Sequence, residues 1–399
     1  MRICYNRRQF LKLSSLFSSA VGLASLMASC DRQRRLSNTT QDPNKPLKIG
    51  YLPITDSAPL LAAYDKGFYR EEGLNPEPPQ RYRSWDAIVE GFIQQDVNVI
   101  HLLMPTAILV RYGLNFPGKV VAWNHTNGSA LTVRLDIEHP AHLARTTIAI
   151  PSWYSIHNIV LQILLRVQGL TPTAKAVQHP LTAQEVRLVV LPPPDMLKAL
   201  TQQEIAGYMV AEPYNSAAET QGVGKLLRLT GDIWKDHACC VVFMQEDDLK
   251  TRPQWTQKVI NAIVKSQLWA RSNRPELAHI LSLDGGQYMP YPVSVLDRVL
   301  NSYDNDYYAR KNVILHPQWR SQRIDFQPYP FPSYTRALTQ ELKRTFIQDD
   351  IQFLNQLSPE QAVTDLVDDS FVRFALQQLG GGQSFDLPIE LSRSEVLKI

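Results

Sequence analysis

Cysteine is scarce in this chain of 399 residues, and its scarcity excludes a scaffold held together by disulfides. The four cysteines are Cys4, Cys30, Cys239 and Cys240. Only the last two fall in the presumed folded domains, and adjacent cysteines rarely form an unstrained bridge. We therefore predict no disulfide framework. A chain of this length is large enough to bury the cores of two domains without one.

A strong excess of charge is also missing. The formal net charge at pH 7 is +3. Residues 1–29 contain four of the basic residues and no acidic one, so the rest of the chain has a formal net charge of −1. This balance gives no electrostatic support to nucleic-acid binding.

Beyond the first thirty residues, the chain has no apolar run close to the roughly 20 residues that a membrane-spanning helix needs. The first thirty residues themselves are typical of an export signal. Arg7-Arg8 precedes Phe-Leu-Lys and a serine-containing apolar run, a pattern similar to the twin-arginine class. An uncleaved anchor helix is the alternative interpretation of this run.

The apolar run ends in Leu26-Met-Ala-Ser-Cys30, which resembles a bacterial lipobox. A lipobox predicts a signal peptide over residues 1–29 and diacylglycerol on Cys30. Residues 30–46 are rich in charge, Asn, Thr and Pro, and we interpret them as a flexible tether. The chain is then a lipoprotein at the outer, periplasmic face of the plasma membrane.

The folded part begins with a predicted strand at 47–52, a polar turn and a helix. Thr55, Asp56 and Ser57 lie in the turn, where a doubly wound sheet binds its ligands. Asp56 or Ser57 is expected to cap the helix, and Gly67 is expected to end it in a left-handed conformation. The backbone N–H groups at such an edge are suited to a small anion or polar ligand.

Strands and helices alternate through both halves of the region up to residue 244, which predicts an α/β fold with mostly parallel sheets. The clearest helix is 156–168, where apolar residues follow the i, i+3, i+4, i+7 rule and Gly169 follows. After residue 245 the pattern is helical, beginning with a long amphipathic helix behind Arg252-Pro253.

Several segments together resemble the solute-binding proteins of bacterial ABC importers. They include the lipoprotein signal, Ser84-Trp85, Ser155-Ile-His-Asn158, Ala211-Glu-Pro-Tyr-Asn215 and Ile233-Trp-Lys-Asp-His237. Within that group the resemblance is to the cyanobacterial nitrate- and bicarbonate-binding lipoproteins and their sulfonate- and thiamine-precursor-binding relatives. It implies a type II periplasmic binding protein fold, with two lobes, a two-stranded hinge and a helical C-terminal extension. The lobes would be 47–134 with 245–399, and 135–244.

The resemblance also implies where a solute binds. A nitrate-binding tryptophan and histidine match Trp85 and His157, and a polar amide matches Asn127. A backbone glycine matches Ala211, and a lysine matches Cys240, whose thiol is a weak donor without charge. Without the resemblance, His157 is more simply a structural histidine, and Trp85 is either a core residue or a wall of a cleft.

Two further groups near these positions have structural interpretations that we favour. Glu212 could face the solute, but we expect it to hold the end of a strand. Cys239 and Cys240 with His237 could bind a soft metal, but three ligands within four residues do not match usual zinc spacing. We therefore expect buried, hydrophobic cysteines and no metal or cofactor.

The predicted function is a membrane-tethered, non-enzymatic receptor that delivers a solute to an ABC permease and its ATPase. The solute class is a small oxyanion or an organic molecule that bears one, such as nitrate, nitrite, bicarbonate or a sulfonate. Two alternatives remain open from the sequence: an enzyme on the same fold, similar to a thiamine-pyrimidine synthase, and a solute sensor without transport.

Overall fold

The computed structural model describes residues 45–399, which cluster as one compact unit. The predicted export signal, Cys30 and most of the predicted tether lie outside the described residues. Within the described part, no helix is both long enough and apolar enough to cross a membrane.

The described chain alternates strands and helices, as the sequence pattern predicts. The strands are β1 (Ile49–Tyr51), β2 (Gln80–Arg81), β3 (Val99–Leu103), β4 (Gly118–Trp123), β5 (Thr126–Asn127), β6 (Ser129–Val133), β7 (Thr147–Ile150), β8 (Thr171–Thr173), β9 (Glu185–Val190), β10 (Gly207–Ala211), β11 (Lys225–Leu229), β12 (Cys240–Gln245) and β13 (Ile324–Asp325).

The strands form two large sheets, one for each lobe. The first has the order β2-β1-β3-β12-β4 and the second has the order β11-β6-β10-β7-β9-β8. Every antiparallel pair in these sheets involves β6 or β12, and the remaining pairs are parallel. This arrangement has a simple cause, since β6 and β12 are the strands at which the chain enters the other lobe.

The two crossing segments lie side by side and form a hinge. Thr126 makes an antiparallel bridge to Ala238, and the Asn127 amide donates to the His237 carbonyl at 2.8 Å. The predicted lobe boundaries are 134/135 and 244/245. In the structure the chain changes sheets slightly earlier, because β6 already belongs to the second sheet and β12 to the first. The lobe division stays a proposal, and we now place it at residues 124–128 and 230–239.

Helices cover both sheets and fill the C-terminal part of the described chain. The α-helices are Ala58–Asp65, Phe68–Glu71, Trp85–Ile93, Met104–Ile108, Ile156–Val167, Pro193–Thr201, Tyr214–Thr220, Glu246–Thr251, Pro253–Ser272, Arg274–Leu281, Val293–Leu300, Asn305–Arg310, Pro332–Arg344, Gln352–Gln356, Pro359–Gln361 and Ser370–Gln378.

The C-terminal helices join the two lobes rather than extending the first one alone. Helix Pro253–Ser272 packs on helix Ala58–Asp65 of the first lobe. Helix Val293–Leu300 packs on the second lobe, where its Val295 carbonyl accepts a hydrogen bond from the Ser216 hydroxyl at 2.9 Å. One continuous apolar core therefore contains side chains from both lobes.

The helix starts show where local rules held and where they failed. Ser155 caps helix Ile156–Val167, because its hydroxyl accepts a hydrogen bond from the Asn158 amide at 3.0 Å, and Gly169 follows with φ 67°. Gly67 also adopts the predicted left-handed conformation. The predicted cap at Asp56 or Ser57 is wrong, since neither side chain bonds to the helix start.

Candidate functional site

The first lobe touches the second lobe at the carboxyl edge of its sheet. The Thr55 amide donates to the Glu212 carbonyl at 2.8 Å, and the Thr106 hydroxyl donates to the Tyr154 carbonyl at 2.7 Å. At the rim, the Arg83 guanidinium contacts the Asp195 carboxylate. These contacts cross from one lobe to the other, so the two lobes are held together at this edge.

Asp56 lies in the turn Thr55–Ser57 after β1 and is fully buried, as is His125 in the first hinge segment. The Asp56 Oδ2 and His125 Nε2 atoms are 3.0 Å apart, but the contact lacks the alignment of a hydrogen bond. Burial raises the pKa of Asp56, but the charge of His125 and the side-chain contacts with His125 and Cys239 together hold the pKa at about 2. The aspartate is therefore ionised. Its close contact with the His125 imidazole explains why Asp56 does not cap the helix.

Cys239 and Cys240 complete the same cluster from the second hinge segment. Both are free and fully buried. One side-chain ligand atom from each of Asp56, His125, Cys239 and Cys240 lies within 4.8 Å of the others. Burial raises the pKa of Cys239, but the hydrogen bond from Cys240 and the nearby histidines lower it below the ordinary thiol value.

His157 faces this cluster from the second lobe, at the start of helix Ile156–Val167. Its Nε2 atom is 2.9 Å from the Ser129 hydroxyl and 3.8 Å from the Cys239 sulfur. Its Nδ1 atom is buried and has no hydrogen-bond partner among the described residues. His157 is therefore in contact with the cluster, and its role in binding a solute stays a prediction.

Trp85 lies at the start of helix Trp85–Ile93 and is only 2% exposed. Its ring centroid is 5.4 Å from that of His101, whose Nε2 accepts a hydrogen bond from the Leu52 amide at 2.8 Å. Burial lowers the pKa of His101 to about 3, so this imidazole is neutral. The Trp85 indole N–H is buried without a partner among the described residues, so it has a hydrogen bond to offer a ligand.

A set of buried polar atoms without well-aligned partners thus collects around the cleft. Unsatisfied buried polar groups are uncommon in folded proteins, and each calls for an explanation such as a ligand. Within residues 45–399, the set around the lobe contact and the hinge includes both carboxylate oxygens of Asp56, both amide atoms of Asn124, Oδ1 of Asn127, Nδ1 of His101, His125, His157 and His237, the Trp85 indole nitrogen and the Thr126 hydroxyl.

Four predicted residues have other positions or partners. Asn127 adopts a left-handed conformation (φ 60°) and binds the Gln322 carbonyl at 3.0 Å, so it secures the hinge. The Glu212 carboxylate binds Arg323 at 2.8 Å, as expected for a structural role. Ser57 donates to the Ile54 carbonyl at 2.7 Å, and Ala211 ends β10 opposite Ser129.

The sequence pointed to parts of the cluster but assigned them separately. His125 lies two residues before Asn127, and Cys239 does not match the usual spacing of zinc ligands. His237, the third member of the sequence trio, instead bonds the Thr230 hydroxyl at 2.9 Å. The sequence does contain one sign of the cluster. Cys239 directly precedes β12 and Cys240 begins it, and β12 belongs to the same sheet as β1, the strand that leads to Asp56.

Two sheets, two crossing segments and a buried polar centre between them define a two-lobed solute-binding protein. The chain belongs to the NMT1-like family, whose sequence profile matches residues 40–282. The predicted fold class and family resemblance are confirmed.

The chain is similar to proteins of nitrate importers. It is 25% identical over 342 residues to the nitrate/nitrite binding protein NrtA of Nostoc, covering 78% of this chain and 74% of that protein. It is 27% identical over 259 residues to the nitrate import ATP-binding protein NrtC of Synechocystis, covering 59% of this chain but 37% of that protein. The crystal structure of the periplasmic nitrate-binding protein NrtA from Synechocystis has a TM-score of 0.70 at 19% identity and covers 89% of this chain and 94% of that one.

Proposed function

We propose that this protein is the solute-binding receptor of an ABC importer and that it closes its two lobes over a small oxyanion or an organic molecule bearing one. The observation that carries the proposal is the set of buried, unpartnered polar atoms between lobes held closed by direct contacts. Closure around a solute is a common hinge motion in this kind of fold.

The side chains of the cleft are suited to an oxygen-rich solute. Trp85 and His157 each present a buried ring nitrogen without a partner, and hydrogen bonds to a charged acceptor are about twice as strong as neutral ones. The negative charge of Asp56 is offset by His125 at 3.0 Å. The names of the relatives, which refer to nitrate and nitrite, support the same solute class.

Thermal unfolding in the presence of single solutes tests this proposal. The panel consists of nitrate, nitrite, bicarbonate, cyanate, a sulfonate and a pyrimidine. A member that binds only the folded state should stabilise the protein by about 2.7 kcal/mol at 100 times its Kd. Potassium chloride at equal ionic strength is the control. If no member raises Tm beyond this control, the proposed solute class is wrong.

We further propose that the receptor is exported and tethered by lipid on Cys30, and that it delivers its solute to a permease and ATPase. The support is the lipobox-like sequence ending at Cys30 and the similarity to an importer ATPase component. Two acyl chains are enough for stable anchoring, whereas a single chain gives only reversible binding.

Replacing Cys30 with serine is expected to move nearly all of the protein from the membrane fraction to the soluble fraction, because no lipid can be attached. Fractionation with immunoblotting measures the change. Cys4→Ser is the matched control and should leave the protein with the membrane. Retention of Cys30→Ser in the membrane fraction would show that another segment anchors the chain.

A further inference from the structure

The four-residue cluster at the hinge has a composition that an oxyanion site does not require. It contains two sulfurs, one imidazole and one carboxylate: Cys239, Cys240, His125 and Asp56. All four residues are fully buried, and their ligand atoms lie within 4.8 Å of one another. We propose that these four side chains bind a single thiophilic metal ion, such as Zn²⁺, inside the cleft.

The spacing of the four ligand atoms is compatible with a single shared ion. Zinc bonds of about 2.0–2.3 Å place the ligand atoms of a tetrahedral centre about 3.5 Å apart. The four atoms would therefore need to move inward by about 1 Å at most. Such a shift is within the reach of side-chain rotation in a cleft that closes and opens.

The choice of ligand atoms selects the class of metal. Thiolate and imidazole ligands favour zinc and copper(I), whereas calcium and magnesium prefer oxygen ligands throughout. Two of the four ligand residues here are cysteines, so a hard cation fits poorly. Both Asp56 oxygens are buried and neither receives a well-aligned hydrogen bond, so they remain available to an ion that Asp56 and its neighbour His125 would share.

The ligands come from three separate segments, which gives the ion a mechanical role. Asp56 lies at the edge of the first sheet, His125 in the first crossing segment and the two cysteines in the second. The ion would join both hinge segments to the first lobe. His157 of the second lobe approaches within 3.8 Å of the Cys239 sulfur, so it covers one side of the site.

This proposal goes beyond the receptor function and is tested by metal binding alone. The full-length chain is reduced with a phosphine, stripped with a chelator and desalted. Cobalt(II) is then titrated in as a spectroscopic probe, and zinc is titrated in by calorimetry. We expect one ion per chain, a thiolate-to-cobalt charge-transfer band in the near ultraviolet, and displacement of cobalt by zinc.

Variants separate this cluster from other thiols and histidines. Cys239→Ser and Cys240→Ser should abolish the charge-transfer band or weaken zinc binding by more than about 100-fold. A residue that only supports a ligand would cost about 10- to 100-fold when it is replaced. Asp56→Asn and His125→Gln should also weaken it. Cys30→Ser and His237→Gln are the matched controls, and both should bind zinc as the wild type does.

The results distinguish the metal site from the receptor function. A reduced wild type without the cobalt band overturns the metal site even if every variant misfolds. Undiminished zinc binding by the Cys239→Ser/Cys240→Ser double variant overturns it as well. Solute binding in the thermal panel without any metal binding leaves the receptor proposal intact, and zinc binding without any solute binding leaves only the metal site.

Discussion

Replacing Glu212 with glutamine is expected to lower the free energy of unfolding by about 3 kcal/mol, because it leaves the Arg323 guanidinium buried without its main counter-charge. Both side chains are almost completely buried, and Arg323 Nε donates to Glu212 Oε1 at 2.8 Å. Glu219 lies 3.5 Å from the same guanidinium and offsets part of the loss. We therefore expect the lower end of the range of about 3–5 kcal/mol for a broken buried pair.

Urea unfolding measures the change, with the slope m expected to stay constant. The control is Arg83→Ala, which breaks the exposed pair with Asp195 and should cost less than about 1 kcal/mol. A double variant that replaces Glu212 with glutamine and Arg323 with methionine should regain part of the lost stability, since it removes the unpaired charge. A loss below about 1 kcal/mol for Glu212→Gln would show that Glu219 takes over the charge.

Much of the fold could be predicted because its causes are local. The apolar spacing along helix Ile156–Val167, its cap at Ser155 and the left-handed Gly169 are all properties of short segments. The cap at Asp56 failed for the opposite reason. Its carboxylate is drawn to His125, which the sheet brings from the distant hinge, and a local capping rule contains no information about that residue.

The candidate site shows the same division between local and distant causes. Trp85 and His157 are implied by a resemblance, and both are buried in the structure. For Cys239 and Cys240, the spacing rule for zinc ligands considers only residues within one short segment of the sequence. In the folded chain the other two ligand residues, Asp56 and His125, come from different segments, so sequence spacing is uninformative there. Only the crossing of the chain between two sheets brings them together.

The indole N–H of Trp85 offers a direct test of solute recognition. Replacing Trp85 with phenylalanine should weaken binding of the best solute in the thermal panel by about tenfold or more, because a hydrogen bond to a charged group contributes about 1.5–3 kcal/mol. Stability should fall by about 1–2 kcal/mol, since the smaller phenyl ring still packs on His101 but leaves part of the space unfilled. Calorimetric titration and urea unfolding measure the two quantities separately.

Trp123 provides the matched control for this experiment. It is also fully buried, and its indole nitrogen also has no hydrogen-bond partner within residues 45–399, but its ring packs on Phe331 and Tyr334. Trp123→Phe should therefore leave solute affinity unchanged.

Trp85→Ala should lose about 3–5 kcal/mol of stability through the cavity that it creates. If Trp85→Phe binds the solute as tightly as the wild type, then Trp85 supports the cleft by packing and donates nothing to the solute.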